Sequence, residues 1–250
     1  IINLDEVLDI SMFIYPVDSR VVMENLQRKV VEIGADVGFA YDGDADRLIV
    51  VDEKGRIIDG DRVLCICGKY LKDIGKLAEG KITATVMSNI GLYKYLEQHG
   101  IDVDVTKVGD RYVLESMLQT GSVLGGEQSG HMIFLDYTTT GDGVLSSLQF
   151  MKAYLASGSK LSELRDEIHI YPQALVNAGV DNAYKQAALE DEEVKEFIGK
   201  VEAKLEGTGR VLIRPSGTEP LIRVMLEGED SEEIRGYAEQ IAELIHKKFG

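Results

Sequence analysis

Between Asp61 and Leu155 the apolar pattern switches repeatedly between a helical and a strand period, and this alternation limits the fold more than any other feature. Helical spacing over residues 63–71, 92–98 and 111–118 is interleaved with short strand-like runs at 82–87, 103–105 and 122–124. A strand at 132–135 and a helix at 143–155 complete the series. Such alternation predicts helices covering a largely parallel sheet. Upstream, a helix over 21–33 ends at Gly34, and a strand at 36–41 leads into an acidic loop. Runs at 48–51 and 56–58 flank the hairpin signal Asp52-Glu53-Lys54-Gly55. After a short helix at 161–168 the pattern changes at Tyr171-Pro172. A strand at 174–180, a charged helix at 190–205 and strands at 210–213 and 221–226 follow. The last helix, 231–248, opens on Ser231-Glu232-Glu233 and closes on Lys247-Lys248, as the helix dipole prefers. The expected fold is a mixed, largely parallel α/β sandwich domain followed by a smaller α+β C-terminal domain.

With 44% hydrophobic and 28% charged residues, the 250-residue chain has core enough for such domains. A formal charge of −16 argues against a nucleic-acid partner. An anionic substrate must then be held by a few local cations and backbone N–H groups. The two cysteines, Cys65 and Cys67, lie inside an apolar run and read as small buried residues, consistent with a reducing cytoplasm. No uncharged stretch approaches a membrane span, and no signal-peptide layout opens the chain. The sequence begins at Ile1 without Met and in mid-pattern, which suggests a fragment.

Three polar loops carry the chemistry. In Asp42-Gly43-Asp44-Ala45-Asp46-Arg47, three carboxylates alternate with other residues, so a turning loop brings them to one point. Hard divalent cations take such oxygen ligands, and without one the carboxylates repel each other. The competing readings are a calcium-binding turn and a solvated acidic loop. An EF-hand fails, because its sixth position needs glycine and holds Arg47. Arg47 either offsets the carboxylates or reaches a substrate phosphate. The second loop, Gly125 through His131, offers Glu127, Ser129 and His131 to sugar hydroxyls, although a plain polar turn explains it equally well. Gly109-Asp110-Arg111 either caps a helix through Asp110 or offers Arg111 to an anion. The third, Arg214-Pro215-Ser216-Gly217-Thr218-Glu219-Pro220, combines hydroxyls, a permissive glycine and a guanidinium, with Arg223 close by. Its competing reading is a decorated hairpin turn.

In this order the loops resemble those of the α-D-phosphohexomutase superfamily. Gly126 through His131, Arg214 through Arg223 and Val108-Gly109-Asp110-Arg111-Tyr112-Val113 are most similar to its bacterial phosphoglucosamine mutase branch. The resemblance runs from about Leu26 to the C-terminus. It implies Mg²⁺ on Asp42, Asp44 and Asp46, with Arg47 at the catalytic centre. It further implies sugar contacts from Glu127, Ser129, His131, Gly109, Asp110 and Arg111. Phosphate contacts would come from Arg214, Ser216, Gly217, Thr218 and Arg223. The implied domains are the end of domain 2 with the metal loop (1–57), a sugar-binding domain 3 (58–169) and a phosphate-binding domain 4 (170–250).

Family members carry a phosphoserine in a Thr-Ala-Ser-His-Asn-Pro-type loop of their first domain, and no such loop occurs here. Residues 13–19 also depart from the Cys-Gly-Ser-Thr-His-Pro-like stretch that the resemblance leads one to expect. Relatives of the phosphomannomutase type place a lysine near Met87; its absence favours the glucosamine branch and leaves the general base unassigned. The implied partners are a phosphorylated hexosamine or hexose and the missing N-terminal domains, with neither nucleic acid nor membrane. The implied reaction interconverts glucosamine 6-phosphate and glucosamine 1-phosphate through a bisphosphate, and this chain alone is expected to be inactive. Competing functions are a phosphomannomutase or phosphoglucomutase and a non-catalytic phosphosugar-binding module. A phosphatase using Asp42 fits less well, because its Asp-x-Asp-x-Thr pattern would put threonine where Asp46 stands.

Overall fold

The computed structural model describes residues 20–250, so the atypical stretch at 13–19 lies outside the described residues. The chain divides into two compact units, one ending at His169 and the other beginning at Ile170.

Among the described residues, the first unit begins with α1 (Arg20–Ile33), followed by β1 (Val37–Tyr41), β2 (Leu48–Asp52) and β3 (Ile57–Ile58). These strands form an antiparallel sheet in the order β1-β2-β3, with Val37 opposite Asp52 and Tyr41 opposite Leu48. Met23, Leu26 and Val30 recur at helical spacing along α1 and bury against Ile49 and Val51. At the hairpin end, Asp52 is fully buried; its carboxylate accepts from Lys54 N, Arg56 N and Arg56 Nε at 2.8–2.9 Å.

The second sheet has the order β5-β4-β6-β7, built from β4 (Lys81–Thr85), β5 (Asp102–Thr106), β6 (Leu124–Gly126) and β7 (Met132–Phe134). β4 pairs parallel with β5 and β6, and β7 closes the edge antiparallel, as expected of a largely parallel sheet. Its helices are α2 (Gly60–Asp73), α3 (Ile90–Gln98), α4 (Asp110–Thr120), α5 (Gly143–Ser157) and α6 (Leu161–Glu167). Leu64, Ile82, Leu92, Leu96, Met117, Leu124, Met132 and Phe150 are fully buried there. Cys65 and Cys67 are free and buried on α2, and burial pushes the Cys67 thiol up to about 12. The expected strand at 122–124 lies two residues later. Ser122 is spent on a hydrogen bond to Leu124 O, while Gly125 and Gly126 make the pairings to β4 and β7.

The second unit is an antiparallel sheet, β8-β10-β9, from β8 (Gln173–Gly179), β9 (Arg210–Pro215) and β10 (Leu221–Glu227). α7 (Lys185–Glu190), α8 (Glu192–Lys204) and α9 (Ser231–Phe249) complete it. Val194, Val201, Ile222, Val224, Leu226, Ile234, Ala238, Ile241 and Ile245 form one core. The helix expected at 190–205 is α8, and a short helix not expected from the sequence, α7, precedes it. Asp191 takes an extended backbone, and its side chain caps α8 by accepting from Val194 N at 3.1 Å. The cap of α9 is Asp230, whose carboxylate accepts from Glu232 N and Glu233 N. No helix among the described residues is long and apolar enough to cross a membrane.

Candidate functional site

The acidic loop joins β1 to β2 and is held from several sides. Ala45 stands at φ +58, a left-handed conformation uncommon outside glycine, and such strain concentrates at functional loops. Its carbonyl accepts from Gly143 N at 2.8 Å, tying the loop to the start of α5. Arg47 N donates to Asp42 Oδ1 at 3.1 Å, and Arg47 Nε lies 3.5 Å from Asp42 Oδ2 and 3.9 Å from Asp46 Oδ1. One carboxylate oxygen from each of Asp42, Asp44 and Asp46 falls within 4.8 Å of the others. Burial and crowding by Asp42 hold the Asp46 carboxyl above its ordinary range. Asp46 Oδ1 is buried without a hydrogen-bond partner. An all-oxygen donor set with one orphaned oxygen suits a hard divalent cation such as Mg²⁺.

The second polar loop lies directly beside the first. Arg47 and His131 form an antiparallel bridge, and Leu48 N donates to Gly130 O at 3.0 Å. Gly130 is required at this crossing: it stands at φ +94, and a Cβ there would collide with the Leu48 carbonyl. Glu127 is half-buried, and its Oε1 accepts from Gly109 N at 3.0 Å, bringing the Gly109-Asp110-Arg111 turn to the same place. Ser129 is exposed.

Three residues depart from the expected arrangement. His131, read as a sugar contact, is only 4% exposed, and its Nε2 lies 3.5 Å from Asp46 Oδ2. Gly141 packs against that ring so closely that a Cβ would overlap it. Asp110 does not cap α4: the cap position is Gly109, and Asp110 Oδ1 accepts from the adjacent Arg111 N. Arg111 is spread over the surface, with its Nε on Glu115 Oε1 at 2.8 Å.

In the second unit the third loop connects β9 to β10. Arg214 and Arg223 stand opposite each other in the register, and burial together with the neighbouring Arg223 charge lowers the Arg214 pKa. Two cations held side by side favour an anion. Arg223 Nη2 donates to Glu219 Oε2 at 2.9 Å. Gly217 and Thr218 are exposed, and their amide groups donate to no acceptor among the described residues. Ser216, by contrast, is buried, and its Oγ accepts from Glu219 N at 3.1 Å, which makes it a staple of the turn. Lys185, absent from every sequence motif, donates through Nζ to the carbonyls of Ser216 and Glu219. Nothing in Asp181-Asn182-Ala183-Tyr184-Lys185 signals this contact, since the partners are backbone atoms about thirty residues away.

Two models of one family match the chain. That for the phosphoglucomutase/phosphomannomutase α/β/α domain III covers residues 59–171, and that for the phosphoglucomutase/phosphomannomutase C-terminal domain covers 175–244. Among curated proteins, the chain is 54% identical over 227 residues to a phosphoglucosamine mutase of Geobacillus kaustophilus, covering 91% of the chain and 50% of that protein. It is 56% identical over 226 residues to a phosphoglucosamine mutase of Clostridium tetani, covering 90% of the chain and 50% of that protein. The chain thus spans about half the length of the curated relatives it matches. Among solved structures, it superposes on Aspergillus fumigatus N-acetylphosphoglucosamine mutase in complex with GlcNAc-6P and magnesium. The TM-score is 0.69 at 20% identity, over 85% of this chain and 49% of that one. A phosphoglucomutase/phosphomannomutase family protein from Burkholderia thailandensis gives a TM-score of 0.70 at 21% identity, over 92% and 51%. With two successive domains of one family matched in order and relatives above half identity across nine-tenths of its length, the chain belongs to the phosphoglucomutase/phosphomannomutase family.

Proposed function

We propose that the chain is the C-terminal half of a phosphoglucosamine mutase, interconverting glucosamine 6-phosphate and glucosamine 1-phosphate through a phosphoserine and a bisphosphate. In this reading residues 1–57 finish the second domain, 58–169 are the sugar-binding domain and 170–250 the phosphate-binding domain. The observation that carries it is the junction of the first two loops. The Arg47–His131 bridge and the Leu48–Gly130 hydrogen bond set a convergent carboxylate triad against the turn bearing Glu127 and Ser129. That pairing suits an enzyme handling both a phosphoryl group and a polyol.

Asp42, Asp44 and Asp46 would hold Mg²⁺. When bound, the ion would neutralise charge on the transferring phosphoryl group. Arg47, tethered to Asp42, brings a guanidinium to the same region and adds positive charge where the transition state spreads negative charge. Glu127, fixed by Gly109 N, accepts hydrogen bonds from sugar hydroxyls, and Ser129 adds an exposed donor. Arg214, Arg223 and the amides of Gly217 and Thr218 hold the phosphate that is not reacting. His131 acts through Asp46, and Ser216 acts by stapling the loop. Arg111 and Asp110 contribute at most to the electrostatics of the turn. The reading includes a soluble, cytoplasmic setting.

The test is a coupled mutase assay on the 250-residue chain with glucosamine 1-phosphate and Mg²⁺, with and without a separately expressed N-terminal half of a phosphoglucosamine mutase. Turnover only on complementation is the expected result. Turnover by the chain alone refutes its dependence on a phosphoserine supplied elsewhere. Because the matched family models are those of hexose phosphate mutases, the assay is repeated with glucose and mannose phosphates. Faster turnover of either overturns the amino-sugar assignment, and binding without turnover in every arm indicates a phosphosugar-binding module.

A further inference from the structure

The carbonyls of the β9–β10 loop are drawn inward by donors of their own unit. Lys185 Nζ donates to Ser216 O at 2.6 Å and to Glu219 O at 2.5 Å. Val180 N donates to Pro220 O at 3.0 Å. Across the loop's mouth, Ser216 N donates to Leu221 O at 2.9 Å. Between them Gly217 and Thr218 are exposed, and their amides donate to no acceptor among the described residues. A turn whose flanking carbonyls are engaged leaves its successive amides to a ligand, as anion-binding concavities do.

Lys185 itself is 8% exposed and begins α7, whose Ala188 is fully buried in the core of the unit. Burying an ammonium group is costly unless its protons find acceptors. Two carbonyls supply them here, and no carboxylate among the described residues pairs with Lys185. Its ammonium group is therefore held against the turn by backbone carbonyls instead of an ion pair. A side chain that merely filled the core would need neither carbonyl, and methionine would fill the same space without the desolvation cost.

We propose that Lys185 is a positioning residue of the phosphate site: it holds the turn in its anion-ready shape before any ligand arrives and lends buried positive charge. The inference rests on the reading of residues 214–223 as a phosphate loop. Lys185 acts on the ligand through the backbone of residues 216–219 and need not touch it.

The test uses the ¹⁵N-labelled 250-residue chain, with inorganic phosphate and glucosamine 6-phosphate as probes. In the wild type without ligand, the amides of residues 216–219 are expected to be as rigid on the picosecond–nanosecond timescale as those of β9 and β10. Added phosphate is expected to shift Gly217 and Thr218. Lys185→Met is expected to retain the circular dichroism of the wild type, lose order in residues 216–219 and weaken phosphate binding about tenfold, as loss of charged hydrogen bonds implies. Lys185→Arg, which keeps charge and donors, is expected to restore part of that loss. Wild-type affinity with a rigid loop in Lys185→Met overturns the proposal. So does a disordered loop in the ligand-free wild type, whether or not either variant folds. If phosphate moves no loop amide in the wild type, the phosphate reading itself fails. If phosphate moves them equally in wild type and Lys185→Met, only the role of Lys185 fails.

Discussion

Asp46 concentrates the electrostatic conflict of the first unit: a crowded carboxylate with one buried oxygen lacking a partner and the other 3.5 Å from His131 Nε2. A divalent cation relieves the crowding, so Asp46→Asn is expected to abolish Mg²⁺ binding in isothermal titration calorimetry. Retention of wild-type affinity would remove the triad as the metal site. His131→Ala leaves all three carboxylates in place and is expected to weaken Mg²⁺ roughly 10-fold, the usual effect of losing a group that orients a ligand. An unchanged Mg²⁺ isotherm would show that the imidazole does not orient Asp46. The direction of this ring could not be read from the sequence. Gly-His after a serine looks like a solvent-facing turn, and only the strand crossing at Gly130 and the close packing of Gly141 turn it inward. A smaller conflict sits at Glu219, which holds Arg223 in a surface ion pair. Exposed pairs contribute little, so Glu219→Gln is expected to tighten phosphate binding only about 3-fold, by releasing Arg223 and removing a negative charge. Weakened binding would instead make Glu219 part of the anion site.

At the scale of elements, most of the fold was legible because hydrophobic period and boundary residues agreed. α9 shows the agreement well: an acidic first turn, a basic last turn and buried Ile234, Ala238, Ile241 and Ile245 along one face. What was not legible is α7, six residues that end where the structure uses Asp191 as the cap of α8. The helical break at Asp191 separates α7 from α8, and α7 carries Lys185. Asp191 also makes the break sensitive to pH. Hydrogen bonding to Lys248 and to Val194 N holds its carboxyl below the ordinary range. A folded-state pKa lower than the unfolded one contributes stability above the unfolded value, and that contribution is lost as pH falls through the folded one. Wild-type thermal stability is therefore expected to fall more steeply between about pH 5 and pH 2 than that of Asp191→Asn, which keeps an N-cap but does not titrate. Parallel melting curves for the two proteins across that range would exclude Asp191 as a source of the pH dependence.

On the scale of the whole chain, the two units differ in how they hold themselves together. The first relies on two sheets, and the loops between strands and helices bring the carboxylate triad and Glu127 to adjoining turns. The second has a single sheet with three helices, and every member of its core lies between Ala174 and Phe249. Its sheet is further pinned by Glu227, fully buried, which accepts from Arg210 Nε at 2.6 Å and from Gln173 Nε2 at 3.1 Å. A segment whose core, caps and buried charges are all satisfied internally has what an independent domain needs. Residues 170–250 expressed alone are therefore expected to fold with one cooperative transition and to bind inorganic phosphate with the affinity of the full chain. Arg210→Met in that fragment leaves Glu227 without its cation and is expected to cost about 3 kcal/mol in chemical denaturation. A fragment that remains unfolded would show that its core is insufficient by itself. A folded fragment that tolerates Arg210→Met without loss would show that the buried pair contributes little to stability.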